Sequence, residues 1–204
     1  MLRDKVIGAG GIDSPPQQYI AVAHVSSPYI TAYPWSSSGF GTKFANPGTL
    51  PPSTGRGVAF SPSGNAIAVA HDTSPYITAY RWSSSGFGTR FATPSTRPAF
   101  DGHGVAFSPS GDAIAVVHAN SPYITAYPWS SSGFGTKFSD PGTLPGLIGL
   151  GVAFSPSGNA IAVAHNSSSR ITAYPWSSSG FGTKFANPGT LPTSTGFGVA
   201  FTEI

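Results

Sequence analysis

The sequence has no cysteine among its 204 residues, so neither a disulfide nor a thiolate metal site can stabilise it. Only 8% of its residues are charged, against about 25% in an average soluble domain. The net charge of +3 is spread along the chain, so we expect neither nucleic acid nor a membrane as partner. Apolar runs stay well short of the roughly 20 residues of a membrane span, and the N-terminal segment carries no apolar stretch of signal-peptide length.

Glycine and proline are abundant instead, with 26 and 20 copies. This composition disfavours long helices and favours short strands joined by tight turns. Aromatic residues make up 13% of the chain and recur at regular spacing, which argues against disorder.

An internal repeat of 47 residues, without insertion or deletion, organises the chain. The segment Gly-Val-Ala-Phe begins at Gly57, Gly104, Gly151 and Gly198. The segment Ile-Thr-Ala-Tyr begins at Ile30, Ile77, Ile124 and Ile171, and tryptophan recurs at the same interval. A fixed period of this size indicates one supersecondary unit stacked several times.

Each unit contains the signals of four strands. In the second unit they fall at residues 57–60, 66–71, 76–82 and 87–91. The Ser-Pro-Ser-Gly sequence at 61–64 has the proline and glycine positions of a type I turn. A proline-rich loop of about 12 residues then leads to the next unit.

A single four-stranded meander cannot bury both of its faces, whereas stacking such sheets around an axis can. We therefore predict an all-β fold: a β-propeller of four-stranded antiparallel blades, with four blades per chain. An N-terminal arm covers 1–13, and the repeats cover 14–204. The predicted blades are 14–44 completed by the C-terminal strand 198–201, then 57–91, 104–138 and 151–185.

The unit resembles that of the WD40 family. Its Phe-Ser-Pro-Ser-Gly turn at 60–64 is similar to the family's Phe-Ser-Pro-Asp-Gly, and Tyr80 and Trp82 match its tryptophan-bearing third strand. The resemblance covers 14–204 and implies a propeller, but it implies no particular ligand. Serine follows the tryptophan where the family has aspartate. The single Gly-His pair, Gly102-His103, lies too close to Phe107 to match the family's usual spacing. We therefore do not expect the family's His–Asp–Trp hydrogen-bond network.

Near-identity among the units also resembles recently amplified propellers and the repeats of some bacteriophage structural proteins. That resemblance implies a virion or extracellular location.

Ring closure is the unusual feature of this repeat. One period before Gly57 the sequence reads Gly-Gly-Ile-Asp at 10–13, and the inner-strand pattern is lost. That pattern reappears at 198–201, which predicts that the C-terminal strand completes the first blade. The exchange can close a four-bladed ring within one chain, or an eight-bladed ring between two chains. We favour the homodimer.

Enzyme chemistry finds little support. The seven acidic residues fall at non-equivalent repeat positions, and no Gly-x-Ser-x-Gly elbow occurs. Gly8-Ala9-Gly10 is not a dinucleotide loop, because Asp13 replaces the next glycine and prolines follow at once. We expect neither catalysis, nor a bound metal, nor a cofactor.

Four histidines share one repeat position at the end of the second strand: His24, His71, His118 and His165. They are either a ring of ligand contacts or a copied polar strand cap. A single metal shared by all four is not expected, because Zn–N bonds are only about 2 Å long.

Other repeated positions also allow two interpretations. Lys43, Arg90, Lys137 and Lys184 either block edge pairing or bind an anionic polymer. Residues such as Tyr33 and Trp35 are either core between blades or platforms for sugars.

The residue before each inner strand varies between units, as do the neighbouring loops 45–56, 92–103, 139–150 and 186–197. The varying residues are Arg56, His103, Leu150 and Phe197. Within this region, Arg56 and His103, together with Asn46 and Asn187 of the loops, are our further candidates for ligand contacts.

These observations predict a multivalent binding scaffold, lectin-like or receptor-binding, that uses loops and inter-blade grooves on one face. The expected partners are a second copy of the chain and either glycans or a protein. The alternatives are a structural or protein-interaction component, such as a virion protein, and a propeller fragment with no selected ligand.

Overall fold

The computed structural model describes residues 17–203, and every regular element in that range is a β-strand. The strands are β1 Gln18–Ala23, β2 Ile30–Ser36, β3 Gly39–Phe40, β4 Gly55–Phe60, β5 Ala66–His71, β6 Ile77–Ser83, β7 Gly86–Arg90, β8 Gly102–Phe107, β9 Ala113–His118, β10 Ile124–Ser130, β11 Gly133–Phe134, β12 Gly149–Phe154, β13 Ala160–His165, β14 Ile171–Ser177 and β15 Gly180–Phe181.

These strands form four antiparallel sheets, each built from strands that follow one another in sequence. β4–β7, β8–β11 and β12–β15 make the four-stranded blades 2, 3 and 4, whereas β1–β3 make a three-stranded blade 1. The predicted all-β propeller with four blades per chain is confirmed. The last strand of each blade is short, with two residues in β3, β11 and β15 and five in β7.

The turn between the first and second strands of a blade follows directly from its sequence. The Gly64 amide donates to the Ser61 carbonyl at 2.9 Å, and Gly64 adopts a φ of +67°, which glycine tolerates without strain. The Ser61 hydroxyl accepts a hydrogen bond from the Ala66 amide at 3.0 Å, which pins the start of β5. The same bonds recur in blades 3 and 4, so each copy of this turn sets the same strand register.

Side chains alternate between two faces of each blade, and the two faces differ in size. The large face of blade 2, which carries Ile67, Val69 and Trp82, packs against Ile30 and Ala32 of blade 1. The opposite, small face of each blade is made mostly of alanine. In blade 2 it consists of Ala66, Ala68, Ala70, Ile77 and Ala79, and it packs against the large face of blade 3. Each junction therefore joins one large face to one small face.

A tryptophan is part of each such junction. Trp129 lies edge-on to Phe107 and Phe134 of its own blade, with ring centroids 5.2 and 5.0 Å away. Phe91, which follows the last strand of blade 2, contacts it at 4.9 Å. Trp82, Trp129 and Trp176 are buried, as the core interpretation predicts. Trp35, which lies on the large face of blade 1, is 37% exposed.

Glycines allow the inner strands to approach one another. β4, β8 and β12 lie side by side, and their glycines Gly57, Gly104 and Gly151 stand in one column. A Cβ atom on Gly57 would lie 2.7 Å from the His103 carbonyl oxygen and 2.9 Å from the Gly104 Cα. On Gly151 it would lie 2.8 Å from the Gly198 Cα, so residue 198 continues the column.

The predicted C-terminal strand does not pair with β1 inside this chain. Residues 198–201 are not part of any sheet, and β1 pairs with β2 alone. Closure of a four-bladed ring within one chain is therefore not seen, and the pairing of 198–201 with a second chain stays a prediction. The arm 1–13 and the start of blade 1 at 14–16 lie outside the described residues.

Within residues 17–203, no helix has the length and apolar character needed to cross a membrane.

Replacing Gly57 by alanine should destabilise the fold by about 1–3 kcal/mol, because the added methyl group meets rigid backbone. Gly48→Ala is the matched control, since a Cβ there meets nothing within 4 Å and should change stability little. Urea unfolding followed by circular dichroism measures both. Equal stability of the two variants would show that the inner strands are not tightly packed.

Candidate functional site

The repeated histidines form the same contact inside each of the four blades. Each Nε2 shares a hydrogen bond with a threonine hydroxyl on the adjacent third strand, at 2.8 to 2.9 Å. The four pairs are His24–Thr31, His71–Thr78, His118–Thr125 and His165–Thr172. His71, His118 and His165 are fully buried, and His24 is partly buried. The structure therefore encloses His71, His118 and His165 within their blades, and a ligand-contact role for the four repeated histidines stays a prediction.

Burial controls the protonation of these rings. It lowers the pKa of His71 and that of His118 to about 4, from an ordinary value of 6.5. Burial also lowers the pKa of His165. At neutral pH these three imidazoles are uncharged, which is the state that a buried hydrogen-bonded ring favours.

The variable positions before the inner strands make different contacts in each unit. Arg56 is exposed and forms a two-pronged ion pair with Asp72. The Nδ1 atom of His103 lies 3.0 Å from the carbonyl oxygen of Gly149 in the next unit. Phe197 is 76% exposed. A ligand-binding role for Arg56 and His103 stays a prediction.

The predicted asparagines lie beside the repeated cations. The amide oxygen of Asn46 accepts a hydrogen bond from Lys43 at 2.7 Å, and that of Asn187 accepts one from Lys184 at 2.6 Å. In blade 3 the equivalent lysine, Lys137, forms an ion pair with Asp140. The three lysines are therefore oriented by contacts with a side chain three residues away. A ligand-binding role for Asn46 and Asn187 also stays a prediction.

Two grooves of matching composition lie between a fourth strand and the loop that precedes its blade. One has a volume of about 560 Å³ and is lined by Gly48, Thr49, Phe87, Gly88, Thr89 and Arg90. The other has a volume of about 450 Å³ and is lined by Gly142, Thr143, Phe181, Gly182, Thr183 and Lys184. Their linings are equivalent position by position, two repeats apart, so the unit itself builds this groove.

Each groove combines a rigid aromatic ring with exposed polar groups. Phe87 is half-buried and held edge-on by Trp82 at 5.0 Å and by Tyr80 at 5.8 Å. Thr89 and Arg90 are exposed beside it. The hydroxyl group can donate or accept a hydrogen bond, and the guanidinium can only donate. The arrangement suits a ligand that has both an apolar face and hydroxyl or acidic groups.

The repeat predicts inter-blade grooves and marks the cation of this groove, but it does not show which other residues line the groove. The signal was present, because the segment Phe-Gly-Thr recurs before every repeated lysine or arginine. By itself, this segment predicts only the last strand of each unit. The loop threonines Thr49 and Thr143 come from the preceding loop, and that proximity appears only once the blades are packed.

Among the residues from 17 to 203, no group of three or more histidine, aspartate or glutamate side chains is arranged to hold a metal ion.

The fold of this chain is similar to the folds of solved proteins. A protein from Lactobacillus plantarum matches with a TM-score of 0.59 and 16% identity, over 81% of this chain and 50% of that protein. A candidate 6-phosphogluconolactonase from Bacteroides uniformis matches with a TM-score of 0.57 and 16% identity, over 88% of this chain and 56% of its own. Hydrazine synthase of Kuenenia stuttgartiensis matches with a TM-score of 0.55 and 11% identity, over 76% of this chain and 42% of that protein.

The chain thus spans about half the length of the solved proteins it matches. At these identities the likeness extends to the fold alone. No protein-family model matches the sequence, including any for WD40 repeats, and no curated protein is similar to it.

Acid should weaken the fold through the buried histidines. Folding lowers the pKa values of His71 and His118. Below pH 6.5 the unfolded chain therefore binds protons at these histidines that the folded chain does not bind. Stability is full above pH 6.5 and falls as the pH drops toward 4, by up to about 1.4 kcal/mol per pH unit for each histidine. Urea unfolding at pH 7, 6 and 5 measures the slope.

The double variant His71→Gln and His118→Gln is the control for this slope. Glutamine has no proton to gain in this range, so the variant should lose less stability between pH 7 and pH 5. A wild-type chain equally stable at both pH values would contradict the placement of these histidines.

Proposed function

We propose that the chain is a non-enzymatic, multivalent carbohydrate-binding scaffold whose sites are the repeated inter-blade grooves. The observation that carries the proposal is the recurrence of one lining, built from Phe, Gly, Thr and a cation, at Phe87–Arg90 and again at Phe181–Lys184. Phenylalanine rings pack on the apolar faces of sugars, and threonine and arginine or lysine bond to hydroxyl and carboxylate groups.

The contacts of the repeated histidines support the non-enzymatic part of the proposal. Histidine is the side chain best suited to acid–base work near neutral pH, but His71, His118 and His165 are enclosed and occupied by threonine hydroxyls. The name of the Bacteroides uniformis protein refers to an enzyme, and its likeness to this chain lies in the fold. The WD40-like turn and tryptophan pattern is also consistent with a scaffold.

Multivalency follows from the repeat. A single shallow groove gives weak affinity, but several identical grooves on one rigid body bind a polymeric or clustered ligand far more tightly. Lys184, which is oriented by Asn187, places a positive charge at the rim of its groove. This charge favours glycans that carry acidic groups over strictly neutral ones.

A second candidate function is protein binding by the variable loops. Several loop side chains are exposed and apolar: Leu50, Phe100, Leu144, Leu147 and Leu191. Exposed apolar side chains on loops that differ between otherwise copied units are suited to a protein partner. An affinity pull-down that recovers one discrete protein, combined with the absence of glycan binding, would favour this function over the first.

Glycan-array binding tests the carbohydrate proposal. The wild-type chain should bind a defined set of acidic glycans. The paired change Thr89→Ala and Arg90→Ala should weaken binding, and adding Thr183→Ala and Lys184→Ala should weaken it at least tenfold, because avidity is lost with each groove.

Arg97→Ala is the matched control, since it also removes an exposed positive charge but lies outside the grooves. It should leave binding unchanged. Absence of binding to any glycan, or equal binding by the groove variants and the wild type, would overturn the proposal.

A further inference from the structure

The two ends of the row of blades expose unlike faces. Blade 1 leaves its large face uncovered, so Val22 is 47%, Trp35 37% and Phe40 63% exposed. At the other end, blade 4 leaves its small face without a neighbouring blade, and Phe185 is 49% exposed. At every internal junction a large face meets a small face, so the two exposed ends have complementary character.

The first missing contact involves the phenylalanine that follows each fourth strand. Phe44 contacts Trp82 at 5.1 Å, Phe91 contacts Trp129 at 4.9 Å, and Phe138 contacts Trp176 at 5.2 Å. In each case the phenylalanine belongs to one unit and the tryptophan to the next. The series leaves Phe185 without a tryptophan and Trp35 without this phenylalanine.

The glycine near each tryptophan gives the same result for this phenylalanine contact. A Cβ atom on Gly86, Gly133 or Gly180 would come within 2.8 to 3.1 Å of the phenylalanine ring of the preceding unit. A Cβ atom on the equivalent Gly39 would meet nothing within 4 Å. Among the residues that the structure describes, no phenylalanine fills the equivalent position beside Trp35, which is the position that Phe185 fits.

The second missing contact involves the inner strand. Phe60, Phe107 and Phe154 end the inner strands of blades 2, 3 and 4 and lie 5.1 to 5.2 Å from the tryptophans of their own blades. Within residues 17–203, blade 1 has no such strand. A pocket of about 390 Å³ beside its first strand is lined by Ile20 and Trp35 of blade 1 and by Phe60 and Trp82 of blade 2, among others. Phe201 is identical in type and repeat position, and it is 39% exposed.

A hydrogen bond recurs across the internal junctions as well. The tyrosine of each third strand donates its hydroxyl to a threonine carbonyl in the loop before its blade, at 2.7 to 2.8 Å. The pairs are Tyr80–Thr49, Tyr127–Thr96 and Tyr174–Thr143. Among residues 17–203, the two members of this series that make no such bond are Tyr33 at one end of the row and Thr190 at the other.

We propose that blade 1 binds blade 4 and residues 198–201 of a second copy of this chain, and that two such seams close a ring of eight blades. A second copy fits because its end residues are the same residue types, at the same spacing, that fill each internal junction. In one chain, residues 198–201 lie beside β12 through Gly198 and Gly151, at the opposite end of the row from β1.

The size of the assembly agrees with two copies. Two copies of four blades make eight, and eight blades fall within the known range for propellers. Both seams are the same by two-fold symmetry, so the assembly closes on itself and does not grow into a fibre.

The seam also assembles a groove that neither copy holds alone. Gly189 and Thr190 of one copy occupy the repeat positions of Gly48 and Thr49. Phe40, Gly41, Thr42 and Lys43 of the other copy occupy those of Phe87, Gly88, Thr89 and Arg90. Closure therefore adds further copies of the binding groove, although the seam itself rests only on the packing contacts and stands without the glycan proposal.

Cysteine cross-linking tests the seam, because the chain has no cysteine of its own. Val58 and Val69 are directly paired between β4 and β5, and the equivalent pair at the seam is Val199 with Val22. Directly paired residues of antiparallel strands lie about 4.5–5.5 Å apart at Cα, within the range that a disulfide spans. The double variant Val22→Cys and Val199→Cys should oxidise to a covalent species of two chains on a non-reducing gel.

The matched control is Val22→Cys with Ala200→Cys, because adjacent strand residues point to opposite faces. This control should form far less of the covalent species. A cross-link confined to one chain, seen as a fast-migrating monomer without free thiols, would overturn the proposal. So would a monomer that keeps both thiols free, or a ladder of larger polymers, which would mean an open chain of copies.

Discussion

The packing of a large face on a small face governs this molecule. Each blade carries Ile, Val, Tyr and Trp on one side and mostly alanine on the other, and neither side can be left in water without cost. A blade therefore needs a neighbour on both sides, and the neighbours must have the same orientation. The direction of the row, the tryptophan–phenylalanine clusters and the close inner strands all follow from this pairing. So does the exposure of Trp35 at one end and of Phe185 at the other.

Much of this architecture is predictable from the sequence because local signals and the repeat agree. The Ser-Pro-Ser-Gly turn sets strand register through its own hydrogen bonds, and a copied unit must place equivalent residues in equivalent positions. The role of the histidines was not predictable to the same degree. A histidine at a strand end is compatible with either a surface contact or a buried hydrogen bond. For His71, only the position of Thr78 on the adjacent strand shows that the bond is a buried one.

The candidate site was the least predictable feature, for a related physical reason. Its cation and its phenylalanine lie close together in the sequence. The threonine on its other side, such as Thr49, comes from the loop before the blade. Contacts across a blade junction depend on how two sheets pack, which no local pattern encodes. The same reason explains why the repeat predicts that 198–201 belongs to a first blade, but does not say to which chain's first blade.

Packing and proposed binding are linked in this account. The aromatic ring of each groove lies edge-on to the tryptophan of its own blade, and the junction buries that tryptophan, so the fold pre-organises the surface proposed to meet a ligand. The buried histidine–threonine bonds contribute at a distance, by fixing the second and third strands of each blade together. Phe40 of blade 1 already lies edge-on to Trp35 at 5.0 Å, and closing the ring would bury Trp35 as the other three tryptophans are buried.

The central claim is that the uncovered faces of blades 1 and 4 bury each other in a pair of chains. Sedimentation velocity of the wild-type chain at micromolar concentration tests it most directly. The account predicts one species of twice the 20.8 kDa chain mass, with the compact shape of a closed ring. A single species of 20.8 kDa would contradict it.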